Sequence, residues 1–254
     1  MKLLSYIAGG KQAYGIVKGD GVINLASRIG AKYPDLKSLI AGGGIKEAEA
    51  AAEGEAADDS LDAITYLPVI TNPDKVVCVG LNYKAHREET GRAATDNPAL
   101  FIRFADTQAG HNQPMIKPTA SDMFDYEGEL AIIIGKSGRH VKAADYASII
   151  AGYSIYNDGS VRDWQNHTIQ WTAGKNFPAT GGFGPWMVTS DELGDPTQLE
   201  LTTRLNGTVL QNTTTDLLIF DIPTLIEYIT TFTELRPGDV ISTGTPGGVG
   251  FKRD

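Results

Sequence analysis

Glu127 and Glu129 stand in the run Asp125-Tyr126-Glu127-Gly128-Glu129-Leu130, which leads directly into Ala131-Ile132-Ile133-Ile134. That apolar, largely β-branched run predicts a strand. Side chains two residues apart in a strand share a face, roughly 6.5–7 Å apart. The two carboxylates therefore project together at the mouth of a buried strand. Like charges so placed repel, and burying them is costly unless a positive charge lies between them. A hard divalent cation with oxygen ligands meets that need. Glu53-x-Glu55 has the same spacing but falls in the Ala/Glu-rich stretch 45–57, expected to be helical. In a helix, residues i and i+2 do not face each other, so that pair reads as solvated surface. The strand context is what singles out Glu127 and Glu129.

A chain of 254 residues can bury a sizeable core in one large domain or two unequal ones. Turn signals at Thr71-Asn72-Pro73-Asp74 divide it into a small unit, 1–70, and a larger one, 71–254. The first is expected to be a small α/β domain, with strands at Leu3–Ala8, Ala13–Val17 and Val22–Leu25 and helices over 34–41 and 45–57. The second is strand-rich with many Gly and Pro breaks. Its helices are expected near 83–90, 143–147 and 222–232, the last with Leu225, Ile226, Ile229 and Phe232 as its buried stripe. The class is thus α+β.

Net charge −9 argues against a nucleic-acid partner. No apolar run reaches roughly 18 residues, so no membrane partner is expected. The start Met1-Lys2-Leu3-Leu4-Ser5-Tyr6 lacks the apolar core of a signal peptide, and the cytoplasm is the expected location. Cys78, the single cysteine, sits in an apolar strand pattern as a small buried side chain.

Three further groups carry chemistry. Asp158 follows the strand pattern Ala151–Tyr156 in Asn157-Asp158-Gly159, where it reads either as a turn residue or as a third metal carboxylate. Arg162 and Lys175 lie downstream, with Gln165 between them. Each cation reads as surface charge or as part of a site: Arg162 to hold a substrate carboxylate, Lys175 to stabilise an enolate or oxyanion. In Tyr83-Lys84-Ala85-His86-Arg87-Glu88-Glu89, a helical turn brings His86 and Glu89 to one face. Such a pair is an exposed helix with incidental charges, or a dyad able to activate water. His111, His140 and His167 lack comparable partners. Ser242-Thr243-Gly244-Thr245-Pro246-Gly247-Gly248-Val249-Gly250 has neither the ending of a phosphate loop nor a dinucleotide fingerprint, and reads as a loop closing over a ligand.

Taken in order, Gly80-Leu81-Asn82-Tyr83 with His86 and Glu89, Tyr126-Glu127-Gly128-Glu129-Leu130, Tyr156-Asn157-Asp158 with Arg162-Asp163-x-Gln165, Gly174-Lys175-Asn176-Phe177, Gly184-Pro185-Trp186, Leu205-Asn206-Gly207 and Pro237-Gly238-Asp239-Val240-Ile241-x-Thr243-Gly244-Thr245-Pro246 resemble the fumarylacetoacetate hydrolase family. The resemblance spans about 75–250. It implies a mixed β-roll with flanking helices, usually paired as a homodimer. It implies Mg²⁺ or Mn²⁺ held by Glu127, Glu129 and Asp158, and His86 with Glu89 on a mobile lid that activates water. Lys175 would stabilise developing negative charge; Arg162, Gln165 and Thr245 would contact substrate. Relatives carry a further strand and closing hairpin after the glycine-rich loop, which residues up to Asp254 do not include.

The substrate so implied is a small anionic 2-oxo acid. Hydrolysis of a carbon–carbon bond in an acylpyruvate or fumarylpyruvate is the first expectation, because His86 and Glu89 are both present. Isomerisation of a 2-hydroxy dienedioate or decarboxylation of oxaloacetate would use the same enolate. A non-catalytic, metal-stabilised binding protein on the same scaffold is a remote alternative.

Overall fold

A computed structural model of the chain describes residues 1–253. One mixed sheet organises it, in the order Asp59–Ser60, Gly21–Asn24, Lys11–Lys18, Lys2–Ala8, Met187–Thr189, Ile150–Asp158, Gly128–Ile134, Val240–Ser242, Val76–Gly80, Ala99–Arg103. Neighbours along this path are antiparallel, except that Val240–Ser242 runs parallel to Val76–Gly80. The architecture is the strand-rich α+β one implied by the sequence.

The strand Gly128–Ile134 is buried along its whole length because both of its faces are covered. Ala131 and Ile133 enter one core with Val76, Cys78 and Val240, while Leu130, Ile132 and Ile134 enter a second with Val77, Val79 and Ile241. A strand covered on both sides reads as a continuous apolar run, as this one does. The second core is closed by the helix Ile222–Phe232 through Ile222, Leu225, Ile226 and Ile229.

The first core also contains Leu3, Tyr14, Leu36, Leu39 and Ala48. Residues 1–70 therefore pack on the same sheet that carries the later strands, joined to it by pairing of Lys2–Ala8 with Met187–Thr189. They have in addition a small cluster of their own: Leu4, Tyr6, Ala13, Val22 and Tyr66.

Local expectations are corrected at four places. The first helix after residue 33 begins at Leu36, because Asp35 and Ser38 cap each other reciprocally. The next, Ile45–Ala52, stops well before residue 57: Glu53 is extended and Gly54 follows at φ +74°. Glu53 and Glu55 thus lie beyond the helix, where Glu55 pairs with Arg28 at 2.9 Å. Phe232 is 58% exposed, packed edge-on against Tyr228 at the helix surface rather than in the core. Asp158 is the last residue of its strand rather than a turn residue, since pairing with Gly181–Phe183 carries the strand through it. No helix among the described residues is long and apolar enough to cross a membrane.

Ile132 sits at the centre of the second core, fully enclosed. Ile132→Ala is expected to lower the unfolding free energy by about 2–5 kcal/mol, read by urea denaturation; a loss below 1 kcal/mol, on that scale of core truncations, would mean that this core collapses readily around a deletion.

Candidate metal centre and active site

The site grows from the pairing of two strands. Gly128 lies opposite Asn157 and Glu129 opposite Tyr156, and the Asp158 N–H donates to the Glu127 carbonyl at 2.8 Å. That register places Asp158 beside the Glu127/Glu129 pair. One carboxylate oxygen from each of the three lies within 4.8 Å of the others, and all three residues are buried. Gly128 is required between the two glutamates by close approach: a Cβ there would sit 2.1 Å from Thr203 Oγ1. Its N–H donates to Gln211 Oε1 at 3.0 Å.

Buried cations partly balance the carboxylates. Lys175 Nζ donates to Glu127 Oε2 at 2.9 Å and to Asp158 Oδ2 at 2.6 Å. Arg103 Nη1 donates to Asp158 Oδ1 at 2.8 Å. Arg162 Nη1 pairs with Glu127 Oε1 at 2.6 Å, and its Nε donates to Asp125 Oδ2 at 2.8 Å. Arg162 Nη2 lies 2.7 Å from the same Asp125 oxygen but is angled away from a hydrogen bond. Burial alone would raise the Glu127 carboxyl; Lys175 and Arg162 outweigh it and hold the group far below its usual range. Glu129 goes the other way: burial, then Asp158 and Glu127, push it well up, although Ser242 Oγ and the Gly244 N–H both donate to it. With Asp125, four buried carboxylates face three buried cations, Lys175, Arg103 and Arg162. Three buried carboxylates with hard oxygen donors fit a divalent cation, which would relieve that imbalance.

Lys175 is brought in by the turn Thr172–Lys175, which abuts Arg162–Gln165. Gly174 makes the contact possible, since a Cβ would meet the Gln165 backbone nitrogen at 2.3 Å. Burial opposes the Lys175 charge, but Asp158 and Glu127 more than compensate and raise its pKa. The sequence left this lysine without partners; the structure gives it two.

His86 lies on the helix Lys84–Thr90 and is 5% exposed, facing the same cavity as Glu127, Glu129 and Lys175. Its Nδ1 is 3.4 Å from Glu89 Oε2. Glu89 also accepts the Gly248 N–H, with both oxygens 3.2 Å away. The loop after Val240–Ser242 thus packs against the helix. Thr245 lines the cavity too, but its hydroxyl has two protein partners: it donates to Gly128 O and accepts from Gln211 Nε2. Gln165 Oε1 accepts from Arg162 Nη1 at 2.9 Å. The nine residues singled out in the sequence are gathered around one cavity of about 380 Å³, with Asp158 enclosed beneath it and Glu89 behind His86.

Two residues of this network went unnoticed in the sequence. Arg103 ends the strand Ala99–Arg103 on the same side as buried Phe101, and an arginine on a buried face needs a carboxylate. Asp125 opens the Glu-Gly-Glu motif; besides Arg162 it accepts the Gly250 and Phe251 N–H groups at 2.8 and 2.9 Å. Cys78 is fully enclosed, as expected of a small buried side chain, and burial, then Asp158 and Glu129, push its thiol well up.

Residues 75–254 match the family model described as fumarylacetoacetate (FAA) hydrolase C-terminal, and the chain belongs to that family. It is 40% identical over 191 residues to the mitochondrial oxaloacetate tautomerase Fahd2a of Rattus norvegicus, a match that covers 75% of this chain and 61% of the relative's length. Among solved structures, it is similar to maleylpyruvate hydrolase from Sphingobium sp. SYK-6 in complex with manganese(II) and pyruvate, with a TM-score of 0.83 and 30% identity over 98% of this chain and 90% of that one. It is also similar to 2-hydroxyhepta-2,4-diene-1,7-dioate isomerase from Mycobacterium marinum, with a TM-score of 0.75 and 32% identity over 98% and 89%. The relatives of this chain thus include a hydrolase, an isomerase and a tautomerase.

Calorimetric titration with Mn²⁺ is expected to show one saturable site, weakened on the order of tenfold or more in Glu129→Gln, which removes one ligand charge. Equal binding by the two proteins would exclude Glu129 as a ligand.

Proposed function

We propose that the protein is a divalent-metal-dependent enzyme that hydrolyses a carbon–carbon bond in a β-diketo acid of the acylpyruvate or fumarylpyruvate type. The observation that carries this reading is His86, backed by Glu89, on the same cavity as Glu127, Glu129 and Lys175. The likeness to a hydrolase that holds manganese and pyruvate supports it. Mg²⁺ or Mn²⁺ held by Glu127, Glu129 and Asp158 would supply Lewis acidity at the substrate's 2-oxo carboxylate end.

The chain's own residues would do the rest. Arg162, which lines the cavity, would hold the substrate carboxylate. His86, its Nδ1 turned to Glu89, takes a proton from water on the other ring nitrogen. The water oxygen bonds to the distal carbonyl carbon, and the bond from that carbon to the adjacent methylene breaks. Its electron pair passes to the pyruvate fragment as an enolate, whose charge the Lys175 ammonium stabilises. Return of the proton to the methylene carbon completes pyruvate, and the other fragment leaves as a carboxylic acid. Gln165 and Thr245 shape the carboxylate end through their bonds to Arg162 and Gly128. The homodimeric pairing and cytoplasmic setting expected from the sequence belong to this same reading.

A second reading, tautomerisation of oxaloacetate, is favoured by the 40% identity to oxaloacetate tautomerase. It needs only transfer of a proton between carbon 3 and the enol oxygen, with no water consumed. The two are separated by assaying pyruvate release from acylpyruvates and fumarylpyruvate beside the keto–enol rate of oxaloacetate, each with Mn²⁺. His86→Ala is expected to slow pyruvate release by roughly 10²–10⁴-fold and to leave Mn²⁺ affinity unchanged. Oxaloacetate conversion without pyruvate release from any β-diketo acid would replace hydrolysis by tautomerisation.

A further inference from the structure

Asp125 serves two separate parts of the cavity wall. The short strands Phe124–Asp125 and Ser160–Val161 pair antiparallel, with Asp125 opposite Ser160, and the Arg162 N–H donates to the Met123 carbonyl at 2.9 Å. That pairing sets Asp125 beside the arginine that begins the next turn. Asp125 Oδ2 accepts Arg162 Nε at 2.8 Å and the Phe251 N–H at 2.9 Å, and Oδ1 accepts the Gly250 N–H at 2.8 Å. Gly250 is needed at that contact, because a Cβ there would lie 2.5 Å from Oδ1. The same anchoring lays the Phe251 ring over the Arg162 guanidinium, whose carbon is 5.8 Å from the ring centre. Arg162 and Phe251 both line the cavity.

Arg162 has a second carboxylate partner, Glu127, but it shares that one. Glu127 Oε2 accepts from Lys175 Nζ, and Glu127 belongs to the three carboxylates that fit a divalent cation. A cation held there competes with Arg162 for the Glu127 charge. Asp125 lies outside that group of three. It is therefore the carboxylate that fixes the edge of the guanidinium whether or not the metal site is filled. A guanidinium recognises a carboxylate through a rigid planar fork, so the tilt of that plane decides how well it receives one.

We infer that Asp125 is a positioning residue for substrate binding: it holds the Arg162 guanidinium in the plane that receives the substrate carboxylate, and it fastens Gly250 and Phe251 over that guanidinium as one side of the cavity. This rests on the proposed 2-oxo acid site, with Arg162 as its carboxylate contact. A merely structural role for Asp125 would lower stability and leave binding by the folded protein unchanged.

The test measures pyruvate binding to the Mn²⁺-loaded full chain by calorimetry. Asp125→Asn keeps the size of the side chain and one oxygen acceptor but removes the charge. It is expected to weaken pyruvate about tenfold, in line with loss of a charged hydrogen-bonding partner, with little change in Mn²⁺ affinity. Made in Arg162→Lys, which has no planar fork to orient, the same substitution is expected to change pyruvate affinity by less than about twofold, because the two residues act as a unit. Gly250→Ala presses a Cβ onto Oδ1 without touching the charge, and is expected to weaken pyruvate as well; it carries the test where Asp125→Asn does not fold. In turnover of a β-diketo acid, the loss should fall on KM rather than kcat. Unchanged pyruvate affinity in these variants, or a loss that persists in full in Arg162→Lys, overturns the inference and leaves the 2-oxo acid site standing. A wild type that binds no pyruvate in the presence of Mn²⁺ overturns that site and the inference with it. Pyruvate binding that depends on Asp125 through Arg162, without cleavage of any β-diketo acid, removes the hydrolytic reading and supports the inference.

Discussion

The structure depends on buried carboxylates held by buried cations. Glu127, Glu129 and Asp158 are enclosed together where two strands of the main sheet meet. Each would be costly there alone. Lys175, Arg103 and Arg162 make the arrangement tenable, and each is supplied by a different segment: the turn at 172–175, the strand at 99–103 and the turn at 162–165. The fold brings these segments together as much to satisfy the carboxylates as to build a site. A further cation fits where one oxygen of each of the three carboxylates lies within 4.8 Å of the others.

Close backbone approach is the second constraint. The hairpin Glu200–Leu205 and Thr208–Thr214 lies over Gly128 so tightly that Thr203 occupies the space of a side chain. Gln211 from the same hairpin bonds both the Gly128 N–H and the Thr245 hydroxyl. The glutamates and the glycine-rich loop are thereby fixed to one side-chain amide. At the other side, Gly174 lets one short helical turn rest on another and so sets how deep Lys175 reaches.

What was legible in the sequence follows from this. Glu127 and Glu129 stood out because the strand context shows in neighbouring residues, and the same context separated them from Glu53 and Glu55. His86 with Glu89 was readable because helical periodicity is local. The β-strands of the centre were readable because a strand covered on both faces is apolar throughout. Pairings across the chain were not. Arg103 lies 55 residues from Asp158, and Asp125 lies 37 from Arg162; nothing near either residue announces the partner. Asp158 itself was placed in a turn because Asn-Asp-Gly favours one, and pairing with Gly181–Phe183 overrode that preference. The position of Phe232 and the early end of the helix at Ala52 were decided by surface packing and by backbone geometry, neither of which hydrophobic spacing records.

Glu89 ties these levels together. Its carboxylate faces the ring of His86 and also accepts the N–H of Gly248, so one side chain joins the helix 84–90 to the glycine-rich loop. That loop is held from beneath by Asp125, through the Gly250 and Phe251 N–H groups, and Asp125 is bonded to Arg162. A continuous chain of charged hydrogen bonds therefore runs from Glu127 through Arg162 and Asp125 to the loop, and from the loop through Glu89 to His86. The imidazole is positioned from the same charges that surround the candidate metal centre. The packing of the glycine-rich loop against the helix and the orientation of the buried histidine are, on this arrangement, set by the same carboxylate.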